Sequence, residues 1–577
     1  MLRVNHVALT LIKKGTKNAL RWYLYIEQSQ PWLEISVGAV TNPVENEKQK
    51  ARAAASASGA SYEIDLPDIQ GPMVTRFPPE PSGYLHIGHA KAALLNDYFA
   101  HRKPGGTLIC RFDDTNPSKE SMEFQESIIH DLRLMNIVPD RISFSSDYFQ
   151  EIYNYAIQLI KDGKAFADDS ELGKGDEDRK NRLPSKRRNL SIKDTLARFE
   201  DMILGTEEGQ KWCLRARIAY DSLNGTLRDP VIYRCNLTPH HRAGTAWKVY
   251  PTYDFCAPIL DSIEGVTLAL RTNEYRDRNV QYHWFQDALR LRKVPIWDFS
   301  RLNFIRTVLS KRKLTKIVDE GRVWGWDDPR MPTIRGIIRR GMTVPALREF
   351  ILKQGPSRNI LNLEWGAFWA LNKKYIDPIT PRHTAIDSQD VVRCTIMGVN
   401  EAGVLMKPKY HKNAELGVKK VLYNKTVLIE QVDAVTLTVD EEITLMNWGN
   451  VYVRSITRPV ENGPITELSL ELHLEGDVKK TKKVTWLAVA DGNMVPVDLV
   501  AFDYLITKNK LEKTDAIEDC LTEVTEFRSH AFGDCNVAEL DQGAIVQFER
   551  KGYYIFDGSH PDDPSKMVFF DIPSGKI

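Results

Sequence analysis

The chain has 577 residues, too many for one hydrophobic core, and that length predicts roughly three to five domains. Its 42% hydrophobic and 27% charged residues are those of an ordinary folded protein, and no apolar run approaches the roughly 18 residues of a membrane-spanning helix. A net charge of +1, from 78 basic and 77 acidic side chains, argues against a histone-like polyanion binder but leaves room for nucleic acid on a local basic face.

Seven cysteines are scattered without a C-x-x-C pair, which fits free thiols in a reducing compartment and speaks against structural zinc. Residues 1–26 carry Arg3, Lys13, Lys14, Lys17 and Arg21, with no acid before Glu27. Two readings stand for that start: an organelle presequence, or the basic face of a folded helix. The aromatic-rich stretch from Asn18 to Trp32 favours a packed piece that docks on another protein. Residues 45–60 are rich in Ala, Ser and Lys without a hydrophobic period, and read as a linker.

From Asp68 to Lys164 short apolar strands alternate with helical stretches. Examples are the strand Thr107–Phe112 and the helical stretch from Ser121 to Met135. This βαβ pattern implies a parallel sheet. Within it, Val74 and Thr75 lead through a Pro-rich turn (Pro78, Pro79, Pro81, Gly83) to His86-Ile87-Gly88-His89 and the helical Ala90–Asn96. A strand–turn–helix order aims the free N–H groups of a helix start at the turn, which suits a phosphate. Two imidazoles there add donors, and Gly88 leaves room for a flat base against the backbone.

Residues 168–190 turn charged and irregular, and read either as the rim of a nucleic-acid site or as a solvated loop. A second βα pattern runs from Trp247 to about Leu314 and ends in Val308-Leu309-Ser310-Lys311-Arg312-Lys313, expected as a mobile basic loop. Asp319–Lys374 is helical in tone. Beyond Pro378, short β-branched runs such as Val418–Tyr423, Val435–Val439 and Val451–Ile456 are split by turns and predict one or two β-barrels.

The His-Ile-Gly-His word and the basic loop, in this order and about 220 positions apart, resemble the HIGH and KMSKS signatures of class I aminoacyl-tRNA synthetases. The words VTRFPPEPSGYLHIGHAKAALLN, RFDDTNPSKE (111–120), YPTYDF (250–255), LRTNEYRDRNVQYHW (270–284) and SRLNF (300–304) narrow this to the glutamyl- and glutaminyl-tRNA synthetase group. The resemblance runs from about Gly71 to near the C-terminus. Arg271 stands where the glutamine enzymes look to carry a cysteine, and Ile296 where they look to carry a glutamine. Both favour the glutamate branch, and the barrel-type second half resembles its eukaryotic and archaeal form.

The resemblance implies a multidomain fold. A Rossmann-type α/β catalytic domain (68–165 and 247–318) is split by an acceptor-stem-binding insertion (166–246). A helical subdomain (319–377) and anticodon-binding β-barrels (378–577) follow. Residues 1–44 would be a helical remnant of a glutathione-transferase-like interaction domain, with residues 18–33 as a face for a synthetase or cofactor-protein partner, and 45–67 the linker. A cytoplasmic location is expected. The implied reaction is ATP-dependent activation of L-glutamate, then transfer to the 2′-hydroxyl of the terminal adenosine of tRNA-Glu. Mg²⁺ would accompany ATP, with no dedicated protein metal site.

Family roles carry over to matching positions. His86, His89 and Lys311 are the expected catalytic residues, meeting the ATP phosphates. Gly88, Glu274, Val308, Leu309, Ser310 and Arg312 complete the ATP site. Val308 replaces the first lysine of KMSKS, and Arg312 or Lys313 is a candidate to compensate. Arg76, Phe77, Pro78, Asp113, Tyr253, Asp254 and Arg271 are expected around glutamate. Arg76 would hold the γ-carboxylate and Asp113 the α-ammonium, with Asp114 as the alternative. Arg271 would select the side chain, or else hold the α-carboxylate. In the barrels, Lys480, Lys482 and Trp486 are anticodon-binding candidates, with Trp486 either stacking a base or lying in the barrel core. Two rivals are a glutamine enzyme, which a cysteine at 271 would favour, and an inactive tRNA-binding scaffold, which loss of Arg76, His86, His89 or Lys311 would favour.

Overall fold

The computed structural model describes residues 69, 71–170, 174–359, 362–460, 463–512 and 514–575. The expectations for residues 1–67 lie outside the described residues. Everything below lies in the unit formed by Ile64–Leu352 and Pro356–Ile577.

Strand β1 (Val74–Phe77) pairs in parallel with β2 (Thr107–Phe112), and β2 with β3 (Arg141–Phe144). The crossovers are helix α1 (Ile87–His101) and helix α2 (Met122–Leu134). Five of the six β2 residues are buried, as a strand covered on both faces requires. Ala90 and Leu94 of α1, Ile128 and Leu132 of α2, and Leu108, Cys110 and Phe112 of β2 share one core.

After α3 (Phe149–Lys161) the chain leaves this sheet for an antiparallel one: β4 (Ala165–Asp168), β5 (Cys213–Ala216), β6 (Val231–Cys235) and β7 (Val249–Pro251). With α4 (Ile192–Leu204) these strands bury Phe149, Phe199, Tyr233 and Tyr250 in a separate core. The charged 168–190 stretch spends several cations locally: Arg187 pairs with Asp169 at 2.8 Å and Arg188 with Asp229 at 2.6 Å.

Helix α5 (Tyr253–Ile263) brings the chain back to β8 (Ala269–Thr272), which is followed by α6 (Asn279–Ala288) and β9 (Ile296–Phe299), parallel to β8. β8 runs beside β1: Thr267 N–H donates to the Val74 carbonyl at 2.9 Å, and Arg76 Nη1 to the Leu270 carbonyl. Two βα halves thus start from neighbouring strands and wind outward. The gap beyond the carboxyl ends of two such strands is where open α/β sheets hold ligands.

Two seven-stranded sheets follow. In one, Lys482–Val484 and Trp486–Ala488 form the opposite edge strands; in the other, Arg382–His383 and Ala385–Asp387 do. In each sheet one short segment, turning at Thr485 or Thr384, supplies both edges, so the sheet nearly closes into a barrel. Val418–Tyr423 pairs with Gly403–Pro408 in a hairpin outside both. The expected strand Val435–Val439 is instead a turn following the helix Gln431–Ala434.

Candidate active site

A cleft of about 800 Å³ opens where the two sheet halves meet. Phe77, Pro78, His86, Gly88, His89 and Asp113 line it from the first half, and Tyr253, Asp254, Arg271 and Glu274 from the second. Ten of the expected residues, from segments far apart in the chain, thus share one cleft, while Arg76 and the second signature, Lys311 included, do not line it.

The two histidines are a helix cap. His86 is the N-cap of α1, and its Nδ1 accepts the Gly88 N–H; His89, three residues on, accepts the His86 N–H at its own Nδ1. This is the reciprocal geometry of a capping box. It also sets the chemistry. A ring nitrogen that accepts an amide N–H carries no proton, so each neutral imidazole keeps its proton on Nε2. Burial holds both rings neutral, with Arg301 opposing protonation: His86 falls well below the usual imidazole range and His89 to about 4. The rings stack with centroids 3.8 Å apart. The cleft therefore has two oriented N–H donors that need no charge.

Gly88 is required by this cap. A Cβ there would stand 2.9 Å from His86 Cε1.

The two arginines expected at glutamate differ sharply. Arg76, 1% exposed, is held from behind: its Nε donates to both oxygens of Asp261 at 3.0 Å, and Nη1 to the Leu270 carbonyl. Asp261 also takes Arg111 at 2.5 Å and the Tyr282 hydroxyl at 2.8 Å, while Arg111 reaches Glu264 at 2.7 Å. Arg76 and Arg111 share Asp261 in this network, and the more exposed Arg141 joins Arg111 on Glu264 at 3.1 Å. Burial works against the Asp261 charge, but Arg76 and Arg111 outweigh it and hold the carboxyl near 2. Arg76 Nη2 is buried without a hydrogen-bond partner.

Arg271, 5% exposed, has no hydrogen bond or ion pair from its guanidinium among the described residues, and its Nε is buried without a partner. It faces the rings of Tyr275, Tyr282 and Tyr253 at 5.0, 5.3 and 5.9 Å. A buried guanidinium in an aromatic cage is a ready receptor for a carboxylate, which it can bind through two parallel N–H bonds.

The adjacent aspartates separate too. Asp114 is fully buried and accepts the Ser146 N–H and hydroxyl at 2.8 and 2.6 Å. Asp113 faces the cleft. Burial pushes its carboxyl up to about 7, helped by Asp114 and Glu80 against Arg111 and Thr115. Of the two, Asp113 is the one free to accept an ammonium. Asp254 is tied to Arg278 at 3.0 Å.

The second signature opens a helix: Ser310 is the N-cap of α7 (Lys311–Asp319). Lys311 lies across the Pro-rich turn, its Cε 3.0 Å from where a Cβ on Gly83 would be, and its Nζ stands over the Phe124 ring at 5.0 Å. Val308 is buried among Leu314, Ile317 and Met331, so its side chain is structural and not a nucleotide contact. Leu309 packs toward Gly88. None of these three cations lines the cleft: Lys311 and Arg312 are exposed and Lys313 Nζ donates to the Asp515 carbonyl.

Arg301, overlooked in the sequence although SRLNF carries it, does line the cleft and pairs with Glu274 at 2.9 Å. Lys91 Nζ holds the preceding Ser300 carbonyl at 2.8 Å.

In the barrels, Trp486 is 5% exposed, packs at a tilt against Trp448 and donates Nε1–H to the Met446 carbonyl. It lies in the barrel core with Val484 and Ala488 and offers no face to a base. Lys482 pairs with Glu441 at 2.7 Å, and exposed Lys480 lies 3.6 Å from Asp477.

Residues 72–378 match the family model described as tRNA synthetases class I (E and Q), catalytic domain. Residues 380–474 and 483–557 match two models described as the anti-codon binding domain of the same group. The chain is 55% identical over 588 residues to the cytoplasmic glutamate–tRNA ligase of Saccharomyces cerevisiae, covering 100% of this chain and 81% of that one. It is 53% identical over 580 residues to the probable cytoplasmic glutamate–tRNA ligase of Schizosaccharomyces pombe, covering 100% and 79%. With the bifunctional glutamate/proline–tRNA ligase of Drosophila melanogaster it shares 47% identity, over 89% of this chain and 30% of the other.

Proposed function

The chain belongs to the class I tRNA synthetases of the glutamate and glutamine group and is a glutamate–tRNA ligase, and we propose a division of labour among the residues of its cleft. It uses ATP, and its location follows the cytoplasmic names of its relatives. A carboxylate oxygen of glutamate attacks the α-phosphorus of ATP, and pyrophosphate leaves. The 2′-hydroxyl of the terminal adenosine of tRNA-Glu then attacks the activated carbonyl, and AMP leaves.

Positioning and charge stabilisation supply most of the rate in such a reaction. Arg271 takes the γ-carboxylate and Tyr253 walls the side chain. Asp113 takes the α-ammonium. His86 and His89 donate Nε2–H to phosphate oxygens, and Lys311 and Arg301 bring positive charge to the departing pyrophosphate. Arg76 acts through the packing of β1 against β8 and through its unpartnered Nη2 amino group. Mg²⁺ arrives with ATP. The phosphate end carries imidazole and guanidinium donors, a set suited to anions, so no step is assigned to a protein-held Mg²⁺. The 166–246 insertion faces the acceptor stem and the two barrels the anticodon.

Arg271 carries this reading above all, as a buried cation with no counter-ion among the described residues. Glutamine would set amide N–H groups against guanidinium N–H groups. A buried charge left without its partner costs about 2–5 kcal/mol, roughly 30- to several-thousand-fold in discrimination. Charging of tRNA with labelled glutamate and, separately, glutamine tests this in wild type and Arg271→Cys. Wild type is expected to charge glutamate alone, and the variant to lose it by at least about 100-fold. Charging of glutamine by wild type would overturn the role given to Arg271.

A further inference from the structure

We propose that Glu120 and His241 form a binding site for a divalent cation of the zinc class where Glu120 meets the cleft wall. The ligand atoms offered by Glu120, His240 and His241 all lie within 4.8 Å of one another. Two of these residues bring buried atoms without a hydrogen-bond partner: Glu120 through Oε2 and His241 through both ring nitrogens. Each such atom costs on the order of 1–3 kcal/mol if nothing meets it, so an unpartnered carboxylate oxygen beside an unpartnered imidazole marks a place built for an occupant.

The surrounding groups say what occupant. Glu120, 8% exposed, is anchored through Oε1, which accepts the Asn116 N–H at 2.8 Å, leaving Oε2 directed at the cluster. No cation pairs with Glu120 among the described residues. A positive charge is the missing complement. Arg242, the nearby cation, is spent on Ser146 and Asp147.

His240 is fixed at both nitrogens, with Nε2–H donating to the Asp114 carbonyl and Nδ1 accepting from Arg242 and Ala243 N–H. His241 stacks on this fixed ring at a centroid distance of 4.6 Å, which orients it while leaving both its nitrogens free. His240 is therefore a positioning group, and the ligands are Glu120 and His241.

Carboxylate with neutral imidazole suits Zn²⁺ and its neighbours better than Mg²⁺. Two ligands each about 2.1 Å from one ion stand about 3–4 Å apart, so closing the site needs only a small side-chain adjustment.

The test uses the full chain: Zn²⁺ titration by calorimetry, and Co²⁺ binding read by its visible absorption. Wild type, Glu120→Gln, His241→Ala and the exposed-histidine control His411→Ala are compared, with melting curves to confirm folding. One equivalent of Zn²⁺ is expected in wild type and control, bound at least tenfold more weakly in each of the two site variants. The Co²⁺ absorption should vanish with them, and millimolar Mg²⁺ should not compete. Equal binding by all four chains, or none by wild type, would show that water fills this space and overturn the proposal.

Discussion

Arg76 and Arg271 are the same residue type in neighbouring strands, yet one is neutralised by Asp261 and the other by no side chain among the described residues. Their functional weights should differ accordingly. Arg271→Lys keeps the charge but loses the two-pronged donor, and is expected to raise the KM for glutamate at least tenfold with little change in KM for ATP. Steady-state kinetics in each substrate checks this. Asp113 leads to a pH dependence. Its carboxyl, raised to about 7, is protonated below that value and cannot accept an ammonium. The KM for glutamate should therefore fall as pH rises through 7, and Asp113→Asn should flatten that profile. His89 titrates the opposite way. Its folded-state value near 4 lies below the unfolded value near 6.5, so the native state loses stability as pH drops through that window. His89→Gln should reduce that loss, read by melting temperature from pH 7 to 4. Both identities were legible in the motif, but the tautomer came only from the backbone N–H groups that the rings accept.

At the scale of elements, the start of α1 carries most of the chemistry. The three-residue spacing of His86 and His89 is the spacing of a capping box, so the signature is at once a helix start and a donor pair. Gly88→Ala would push a methyl into the His86 ring and is expected to raise the KM for ATP about tenfold or more, while the fold survives. ATP–pyrophosphate exchange in the presence of tRNA measures it. The second signature looked like a loop because lysines and arginines dominate it. It becomes a helix because Leu314 and Ile317 find an apolar cluster to cover. Val435–Val439 failed as a strand for the converse reason: β-branched residues favour strands only where a neighbouring edge is available. Alternation alone did not say which side of its strand Trp486 would occupy.

Across the whole molecule, the catalytic half and the last barrel are joined by charged contacts that no local pattern announces. Arg339 pairs with both oxygens of Asp557 at 2.7 and 2.8 Å, 218 positions away. Arg339→Ala should lower the melting temperature by about 1–3 °C and leave glutamate discrimination unchanged, as a test of melting and charging together would show. The split sheet, the insertion and the barrels were readable in outline because hydrophobic period and turn residues are local properties. So were most cleft residues, because the motifs that carry them are contiguous words. What tertiary structure alone decided were pairings: Asp261 with Arg76 and Arg111, Asp114 with Ser146, Arg301 with Glu274, and Glu120 beside His241. Each depends on which side chains meet across strands and helices distant in the chain. Burial then decides which charge is balanced and which is left to bind a substrate.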